Sequence, residues 1–280
     1  MNFLASLVQA NNKPLLLFGQ TLGPFEKPAH HRIAQEIFDI AKVIVIRDQH
    51  SEREAARFKD KILRGVDDAV GFKPVISSKA KDVVDAYFKN NGGDTICGGI
   101  NLRRWGNSRS YYSKIAWEME SFSQAFPYLK IKWFFVPMET SVYCDDRDEG
   151  EELVKILEGR NCDITLIREN FSVEEKFHFL SRLDFFVGMR LHSIIFALNS
   201  GVPTIGIYHS EYYRWKICGL LKSFGLEECA VALENTDDLS ALIGTLFDKK
   251  THLKKMILEK KDEITRRQQL MMQNIIKVEA

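Results

Sequence analysis

Short apolar runs alternate with amphipathic segments along most of the chain. Runs with the length and composition of strands buried on both faces lie at 15–18, 43–46, 95–102, 131–136, 164–167, 185–187 and 204–208. Segments with apolar residues at helical spacing, or with helix-type composition, lie at 31–40, 51–58, 111–126, 149–158, 173–182, 214–225 and 237–280. Strands that alternate with helices predict an α/β fold with parallel sheets.

The segment from 183 to 209 is the clearest of these units. It predicts a buried strand at 185–187, a tight turn, a helix over 191–198 and a second buried strand at 204–208. A helical crossover between two strands implies that the strands are parallel.

Arg190 and His192 lie where the first strand of this unit ends and its helix begins. In open α/β sheets ligands bind outside the carboxyl ends of the strands, and a helix N-terminus there favours anions. The pattern therefore indicates an anion site with an acid–base group beside it. A surface arginine and a structural histidine are the alternative interpretation of the same two residues.

Two further arginines follow predicted strands. Arg103 comes after the strand at 95–102, where a guanidinium can bind a carboxylate or phosphate through two hydrogen bonds. Trp105 can stack on a sugar or close over the core, and we expect the core. Arg47 and Asp48 end the strand at 43–46, and we expect them to pair with each other and hold a loop, with ligand contact by Arg47 as the alternative.

Polar and acidic residues mark several predicted helix starts. Ser51 with Glu54, and Ser172 with Glu175, have the spacing of capping boxes. An acidic cluster at 145–152 precedes and begins the predicted helix at 149–158, where the helix dipole favours negative side chains. We therefore do not expect a metal site in this cluster.

Composition narrows the class of protein. The 280 residues include 39 Lys and Arg against 38 Asp and Glu, which argues against nucleic-acid binding by bulk charge. The 5 cysteines are odd in number and lack zinc-site spacing, so reduced thiols are expected. No apolar run is long enough to span a bilayer, and the first residues lack the plan of a signal peptide. We expect a soluble, cytoplasmic protein, which leaves room for peripheral membrane association.

Several ordered motifs share one resemblance. The string Gly188–Ala197, followed by Gly201-Val202-Pro203, resembles the signature of the polysaccharide pyruvyl transferases. The other motifs similar to that family are Gly19–Pro24, Val45–Ser51 and Asn101–Trp105, and together they extend over residues 15–215. Members of the family transfer the enolpyruvyl group of phosphoenolpyruvate to sugar hydroxyls and usually form a cyclic ketal.

The resemblance implies a fold with two Rossmann-like domains, similar to glycosyltransferases of type B. Family members usually have additional strand–helix units before the Gly19–Pro24 loop, including a Gly-Asn-Xaa-Gly-Asp-like loop, so we expect an incomplete amino-terminal domain. Either a truncated chain or a short, divergent member fits that expectation. We expect this domain at 1–92, a donor-binding domain at 93–250 and a C-terminal helix at 251–280, with the boundary in the polar stretch 79–94.

The resemblance also implies a function. We expect phosphoenolpyruvate to bind between Arg103 and Arg190 without a metal or another cofactor, with Gly19, Gln20 and Arg47 as further substrate contacts. His192 would transfer a proton or, alternatively, only hydrogen-bond the phosphate. The acceptor would be a sugar of a cell-surface polysaccharide or of its lipid-linked precursor. The alternatives are a nucleotide-sugar-dependent glycosyltransferase, with Arg190 on the diphosphate, and an inactive remnant.

Overall fold

Two parallel sheets organise the structure. The computed structural model describes the backbone of residues 2–89 and 94–279, and the side chains of residues 5–89 and 94–276. The first sheet has three strands and the second has six, and a short antiparallel pair accompanies them. The expected α/β fold with parallel sheets is therefore confirmed.

The first sheet is built from the start of the chain. Its elements are α1 (Asn2–Ala10), β1 (Leu15–Gln20), α2 (Pro28–Ile40), β2 (Ala41–Ile46), α3 (Gln49–Glu54), β3 (Ile62–Arg64) and α4 (Ser78–Asp85). The strands are parallel in the order β1-β2-β3. Pro28 fits the first turn of α2, where a missing N–H is not needed. Ala34 and Phe38 of α2 are buried in a small core that includes Ile44 of β2.

The second sheet follows in the chain. Its elements are β4 (Thr95–Asn101), α5 (Tyr112–Ala125), β5 (Lys130–Phe135), β6 (Thr140–Ser141), β7 (Cys144–Asp145), α6 (Asp146–Leu157), β8 (Asp163–Leu166), α7 (Val173–Ser181), β9 (Phe185–Gly188), α8 (Leu191–Asn199), β10 (Thr204–Tyr208), α9 (Glu211–Ser223), β11 (Ala230–Ala232), α10 (Leu239–Asp248) and α11 (Lys250–Glu279). Strands β6 and β7 form the antiparallel pair. Short 3₁₀ turns lie at Ala56–Lys61, Ser108–Tyr111, Glu227–Cys229 and Leu233–Asn235.

The order of the six strands explains where a ligand would bind. The sheet runs β11-β10-β9-β4-β5-β8. When these six strands are numbered in chain order and read from the β8 edge, their order is 3-2-1-4-5-6, which is that of the Rossmann fold. The chain winds outward from β4, then returns to β9 beside it and winds the other way. Ligands of such sheets bind outside the carboxyl ends of the strands at this reversal.

Glycines at the centre of the sheet allow aromatic packing around β4. A Cβ atom on Gly98 would lie 2.4 Å from Cζ of Phe185, and one on Gly99 would lie 2.3 Å from Cδ1 of Leu183. Phe185 in turn packs edge-on against Trp133, with ring centroids 5.1 Å apart. Any larger residue at 98 or 99 would displace this core, since interiors are close-packed.

Several contacts join the two sheets. The side chain of Asn199, which is buried, accepts from the Gly71 N–H at 3.0 Å and donates to the Ala69 carbonyl at 2.8 Å. Helix α4 packs against α7. Helix α11 extends across both sheets: Lys250 binds Asp184 near one end, and Gln268 donates to Asp68 further along.

The helix starts show two corrections. The capping box of Ser172 and Glu175 is confirmed. The one predicted for Ser51 is wrong, because Asp48 is the N-cap of α3 and accepts from the Ser51 N–H at 2.8 Å. The helix predicted at 149–158 begins earlier, at Asp146, and Asp145 caps it.

The domain boundary remains a prediction. The first part of the polar stretch 79–94 belongs to helix α4, which is capped by Ser77 and buried at Ala80 and Val84. The predicted boundary itself falls in 90–93, outside the described residues. The last helix begins at Lys250, one residue before the expected start.

Membrane spanning can be tested for the helices of the structure. Across residues 2–89 and 94–279, none of them combines the length and the apolar character needed to cross a bilayer.

Candidate active site in the crevice between the two sheets

The carboxyl ends of strands from both sheets face a common crevice. In the second sheet, Asn101 of β4 is in register with Gly188 of β9, which is in register with Gly206 of β10. Side chains just beyond these positions are therefore neighbours, since adjacent strands lie about 4.8 Å apart. From the segment that follows β3 of the first sheet, the Asp67 Oδ1 atom comes within 3.9 Å of His192 Nε2.

We use "the crevice" for the space bounded by a set of polar side chains from both sheets. These crevice residues are Arg47, Asp67, Arg103, Arg190, His192, His209, Tyr213 and Lys216.

Arg190 is held rigidly at the end of β9. Its Nε and Nη2 atoms donate to the Asp146 carboxylate over 2.5–3.0 Å, and Nη2 also contacts Cys144 Sγ at 3.0 Å. Asp146 is 1% exposed and also accepts from the N–H groups of Met138 and Glu139. Burial alone would lower the pKa of Arg190, but the Asp146 carboxylate outweighs it and raises the pKa. Arg190 is therefore a permanent, oriented positive charge.

A second cation lies beside this pair. Lys176 of α7 donates to the Met138 carbonyl at 2.9 Å. Burial lowers the pKa of Lys176 despite the nearby carboxylates of Glu139 and Asp146. Two cations, Arg190 and Lys176, therefore lie near the end of β9 together with the carboxylates of Asp146 and Glu139.

Arg103 lies at the end of β4 within an aromatic cluster. Its Nη1 donates to the hydroxyl of Tyr213 at 2.5 Å, and its guanidinium lies 5.1 Å from the centroid of that ring. His209 stacks on Trp105 with centroids 4.4 Å apart. Trp105 is 48% exposed, so the expectation that it closes over the core is wrong. It forms part of the wall of the crevice instead.

Three nitrogen atoms in this cluster are buried without a hydrogen-bond partner among the described residues. They are Nε of Arg103 and both ring nitrogens of His209. Burial, together with the charge of Arg103, lowers the pKa of His209 to about 4. Near pH 7 the imidazole is therefore neutral, with one donor and one acceptor nitrogen. Because unsatisfied buried polar atoms destabilise a protein, their concentration here makes this cluster a candidate ligand site.

The lowered pKa of His209 gives a testable pH dependence of stability. The unfolded chain binds a proton at the ordinary pKa of about 6.5, whereas folded His209 resists it. This contribution to stability is present above pH 6.5 and is lost as the pH falls through 4. We therefore expect the loss of urea stability between pH 7 and pH 4.5 to be smaller in His209→Gln than in the wild type. Equal losses in both proteins would contradict the assignment.

The first sheet contributes an arginine–aspartate pair. Arg47 at the end of β2 is ion-paired with Asp67, and its Nε donates to the Thr21 hydroxyl at 2.6 Å. The expected pairing of Arg47 with Asp48 is wrong. Asp48 does have the expected structural role, because its carboxylate accepts from both the backbone and the hydroxyl of Ser51.

His192 and the Gly19–Pro24 loop occupy different positions relative to this pair. His192 is 65% exposed and lies on the Asp67 side of the crevice. Gly19 has a φ of +60°, and a Cβ atom there would lie 3.0 Å from Asp68 Oδ2. The Gln20 amide donates to the carbonyl of Phe18 in its own strand at 2.5 Å. The loop thus positions Thr21 beside Arg47, and Gln20 is folded back.

Lys216 of α9 was not singled out from the sequence. Burial and the charge of Arg47 lower the pKa of Lys216 to about 8, against weaker effects of Tyr213 and Asp67. Its ammonium lies 3.9 Å from the centroid of Tyr212. A lysine that titrates near neutral pH in a cleft is a candidate for proton transfer.

The residues that sequence analysis missed share one signal. His209 follows the end of β10, and Tyr213 and Lys216 are three residues apart on α9, so they lie on one face of that helix. The rule that placed Arg103 and Arg190 at strand ends applies to His209 as well. Asp67 could not be found in this way, because it meets Arg47 only through the pairing of β2 with β3.

The acidic cluster at 145–152 has two roles. Asp145 caps α6, as the helix-dipole interpretation suggested, and accepts from the Arg147 N–H at 2.9 Å. Asp146 and Glu149 are instead buried and paired with Arg190 and Arg109. Within the part of the chain that the structure describes, no group of three or more His, Cys, Asp or Glu residues is placed to hold a metal ion.

Comparison with solved structures defines the fold class. Trehalose-6-phosphate synthase OtsA has a TM-score of 0.61 at 9% identity, covering 96% of this chain and 69% of that chain. A UDP-N-acetylglucosamine 2-epimerase from Listeria monocytogenes has a TM-score of 0.60 at 15% identity, covering 90% of this chain and 64% of that chain. With two parallel sheets facing a shared crevice, the chain has the Rossmann-like fold of type-B glycosyltransferases.

Sequence comparison identifies the family. The model of the polysaccharide pyruvyl transferases matches residues 1–211, and the chain belongs to this family. The amylovoran biosynthesis protein AmsJ of Erwinia amylovora is 22% identical over 240 residues, which are 82% of this chain and 56% of AmsJ. The chain thus spans about half the length of this curated relative.

Proposed function

We propose that this chain transfers the pyruvyl group of phosphoenolpyruvate to hydroxyls of a polysaccharide or of its lipid-linked precursor, and forms a pyruvate ketal. Membership of the polysaccharide pyruvyl transferase family supports the reaction class. The observation that carries the proposal is the set of buried nitrogens without partners on Arg103 and His209, among the fixed cations of the crevice. We place the reaction in the cytoplasm, where phosphoenolpyruvate is available to a soluble enzyme.

The charges of the donor match the crevice. Phosphoenolpyruvate carries a carboxylate and a phosphate, and both accept strong hydrogen bonds from guanidinium groups. In the proposed complex Arg103 binds one of these anions and satisfies its Nε. Arg190, held by Asp146, supplies a fixed positive charge two residues beyond the neighbouring strand end. Fixed cations of this kind stabilise charge in the transition state without reorganisation.

The chemistry consists of an addition followed by a substitution. A proton is added to the methylene carbon of phosphoenolpyruvate, and a sugar hydroxyl attacks C2 and loses its own proton. A second hydroxyl then replaces the phosphate at C2, and its proton leaves with the phosphate. The products are the cyclic ketal and inorganic phosphate, so atoms and charges balance.

His192 is the proposed proton-transfer residue. It is exposed to the crevice and faces Asp67, which Arg47 holds in place. An imidazole in this position can act as a general acid or a general base. Lys216 is the second candidate for the same step, because the pKa of its side chain is lowered to about 8.

Binding of the donor gives the first test. We expect calorimetric titration to detect phosphoenolpyruvate binding that Arg103→Ala weakens by about tenfold to a hundredfold, since a lost charge-assisted hydrogen bond costs about 1.5–3 kcal/mol. Arg104→Ala is the matched control, because this neighbouring arginine is exposed and lies outside the crevice residues. A chelator should leave the affinity unchanged, since arginines bind the donor.

Two results would overturn the proposal. One is equal affinity of the wild type and Arg103→Ala for phosphoenolpyruvate. The other is binding of UDP-glucose with no binding of phosphoenolpyruvate, which would favour a nucleotide-sugar-dependent glycosyltransferase on the same fold.

A further inference from the structure

A cavity lies between α3 and α9, on the face of α9 that carries Arg214, Cys218 and Lys222. It has a volume of about 610 Å³, within the range of small-molecule sites. We call it the α3–α9 cleft. Its lining residues are Ile46, Arg47, Asp48, Gln49, His50, Arg64, Gly65, Arg214, Trp215, Cys218, Gly219, Lys222, Ser223 and Arg267.

Positive side chains from several elements converge on this cleft. They are Arg47, Arg64, Arg214, Lys222 and Arg267, whereas Asp48 is its single lining carboxylate. Asp48 is already engaged, because it caps α3 and binds Ser51. The cleft therefore concentrates cations in a chain whose formal net charge is only +1.

The surrounding carboxylates offset only part of this charge. Arg47 is ion-paired with the mostly buried Asp67. Arg64 is paired with Glu52, and Arg214 with Glu211 through Nη1, but these pairs are largely exposed and screened by solvent. A guanidinium has five N–H donors, so each arginine keeps donors for a ligand. Lys222 and Arg267 have no ion pair within 4.0 Å among the described residues. Like charges held together in this way favour a multiply charged anion.

One wall of the cleft is flat and aromatic. The rings of His50 and Trp215 stack with centroids 4.3 Å apart and an interplanar angle of 4°. The indole N–H of Trp215 donates to Glu211 at 3.1 Å, which fixes the orientation of its ring. Such a wall beside a group of arginines fits a ligand that combines a strongly anionic group with a ring or an apolar chain.

Arg47 connects the cleft with the crevice. It lines the cleft and is ion-paired with Asp67, which faces His192 across the crevice. A ligand anchored in the cleft can therefore extend past Arg47 to the proposed reaction centre.

We propose that the α3–α9 cleft binds the diphosphate group of a diphosphate-linked saccharide, the acceptor of the reaction. This assignment of the acceptor rests on the proposed function, but binding in the cleft can be measured without it. A diphosphate offers several charged oxygens to the arginines, whereas a single sugar carboxylate would leave most of the cations unmatched. The saccharide would extend past Arg47 into the crevice.

Calorimetry with inorganic pyrophosphate tests the cleft directly. The test variant is Lys222→Ala with Arg267→Ala, and the matched control is Lys59→Ala with Arg266→Ala, which also removes two exposed cations. We expect the test variant to bind pyrophosphate at least about tenfold more weakly than the wild type, and the control to be unchanged. Thermal unfolding midpoints of the two variants should match. Equal weakening in both variants, or none in either, would overturn the proposal.

Two further measurements distinguish a lipid-linked from a nucleotide-linked diphosphate. A third separates the acceptor assignment from the proposed function. Sedimentation with vesicles that carry a polyprenyl diphosphate saccharide, compared with plain vesicles, tests a lipid-linked acceptor. Titration with UDP-glucose tests a nucleotide-linked one. Binding of at least one of these two ligands should be weaker in the test variant than in the wild type. If the test variant weakens neither, the acceptor assignment is wrong. Phosphoenolpyruvate affinity should be equal in the wild type and the test variant, so failure of donor binding would count against the proposed function alone.

Discussion

Arg190→Ala is expected to lower the free energy of unfolding by about 3–5 kcal/mol, because it leaves the buried Asp146 carboxylate without its cation. Asp146 retains hydrogen bonds from Asn101, Met138 and Glu139, but these donors are neutral. Urea unfolding measures the change. The double variant Arg190→Ala with Asp146→Asn should lose less than the sum of the single variants, because the two residues interact directly.

The exposed pair of Arg168 and Glu151 provides the control. Both side chains are more than half exposed, and Arg168→Ala should cost less than about 1 kcal/mol. If Arg190→Ala cost no more than this control, the Arg190–Asp146 pair would not stabilise the crevice. Because the expected loss is large, Arg190 is unsuited to a binding test, and Arg103 is the better residue for that purpose.

His192→Gln is expected to lower turnover by about 10²–10⁴ while phosphoenolpyruvate affinity is retained, as for the loss of a general acid or base. The exposed imidazole packs little against its surroundings, so stability should change little. The readout is inorganic phosphate released with a saccharide acceptor at saturating donor. His252→Gln is the control, since His252 is an exposed histidine of α11.

The alternative roles give different results. Weaker binding with unchanged saturated turnover would make His192 a phosphate ligand. Unchanged binding and turnover would contradict any role of His192, and would direct attention to Lys216. In that case the pH profile of the reaction should follow a group with a pKa of about 8.

Much of the second sheet could be predicted from sequence. Its central strands β9 and β10 are buried on both faces, so each forms a short apolar run, and Thr204–Tyr208 has the predicted bounds. Helix α4 was missed because only one narrow face is buried, at Ala80 and Val84, while the rest of the segment is polar. The cap of α3 was misassigned because Asp48 and Ser51 both have capping side chains, and only the backbone decides between them.

Residues of the candidate site could be predicted from the sequence only where they follow the end of a recognisable strand. Arg103, Arg190 and His192 were found because each follows a recognisable strand. Asp146, the ion-pair partner of Arg190, could not be predicted, because the two residues are 44 positions apart in the sequence. His209 illustrates the same limit, because its low pKa arises from burial and from Arg103, which lies far away in the chain.

Helix α11 has a consequence for the order in which the protein can assemble. A Cβ atom on Gly71 would meet Thr265, and one on Gly65 would approach Met271, so this helix packs directly against the segment that follows the first sheet. These partners are separated by roughly two hundred residues, and loop closure over such a distance is slow. A ribosome that has finished the first sheet must still synthesise the chain as far as Thr265 and Met271 before this surface is covered. Until then the nascent first sheet exposes apolar area that chaperones can recognise.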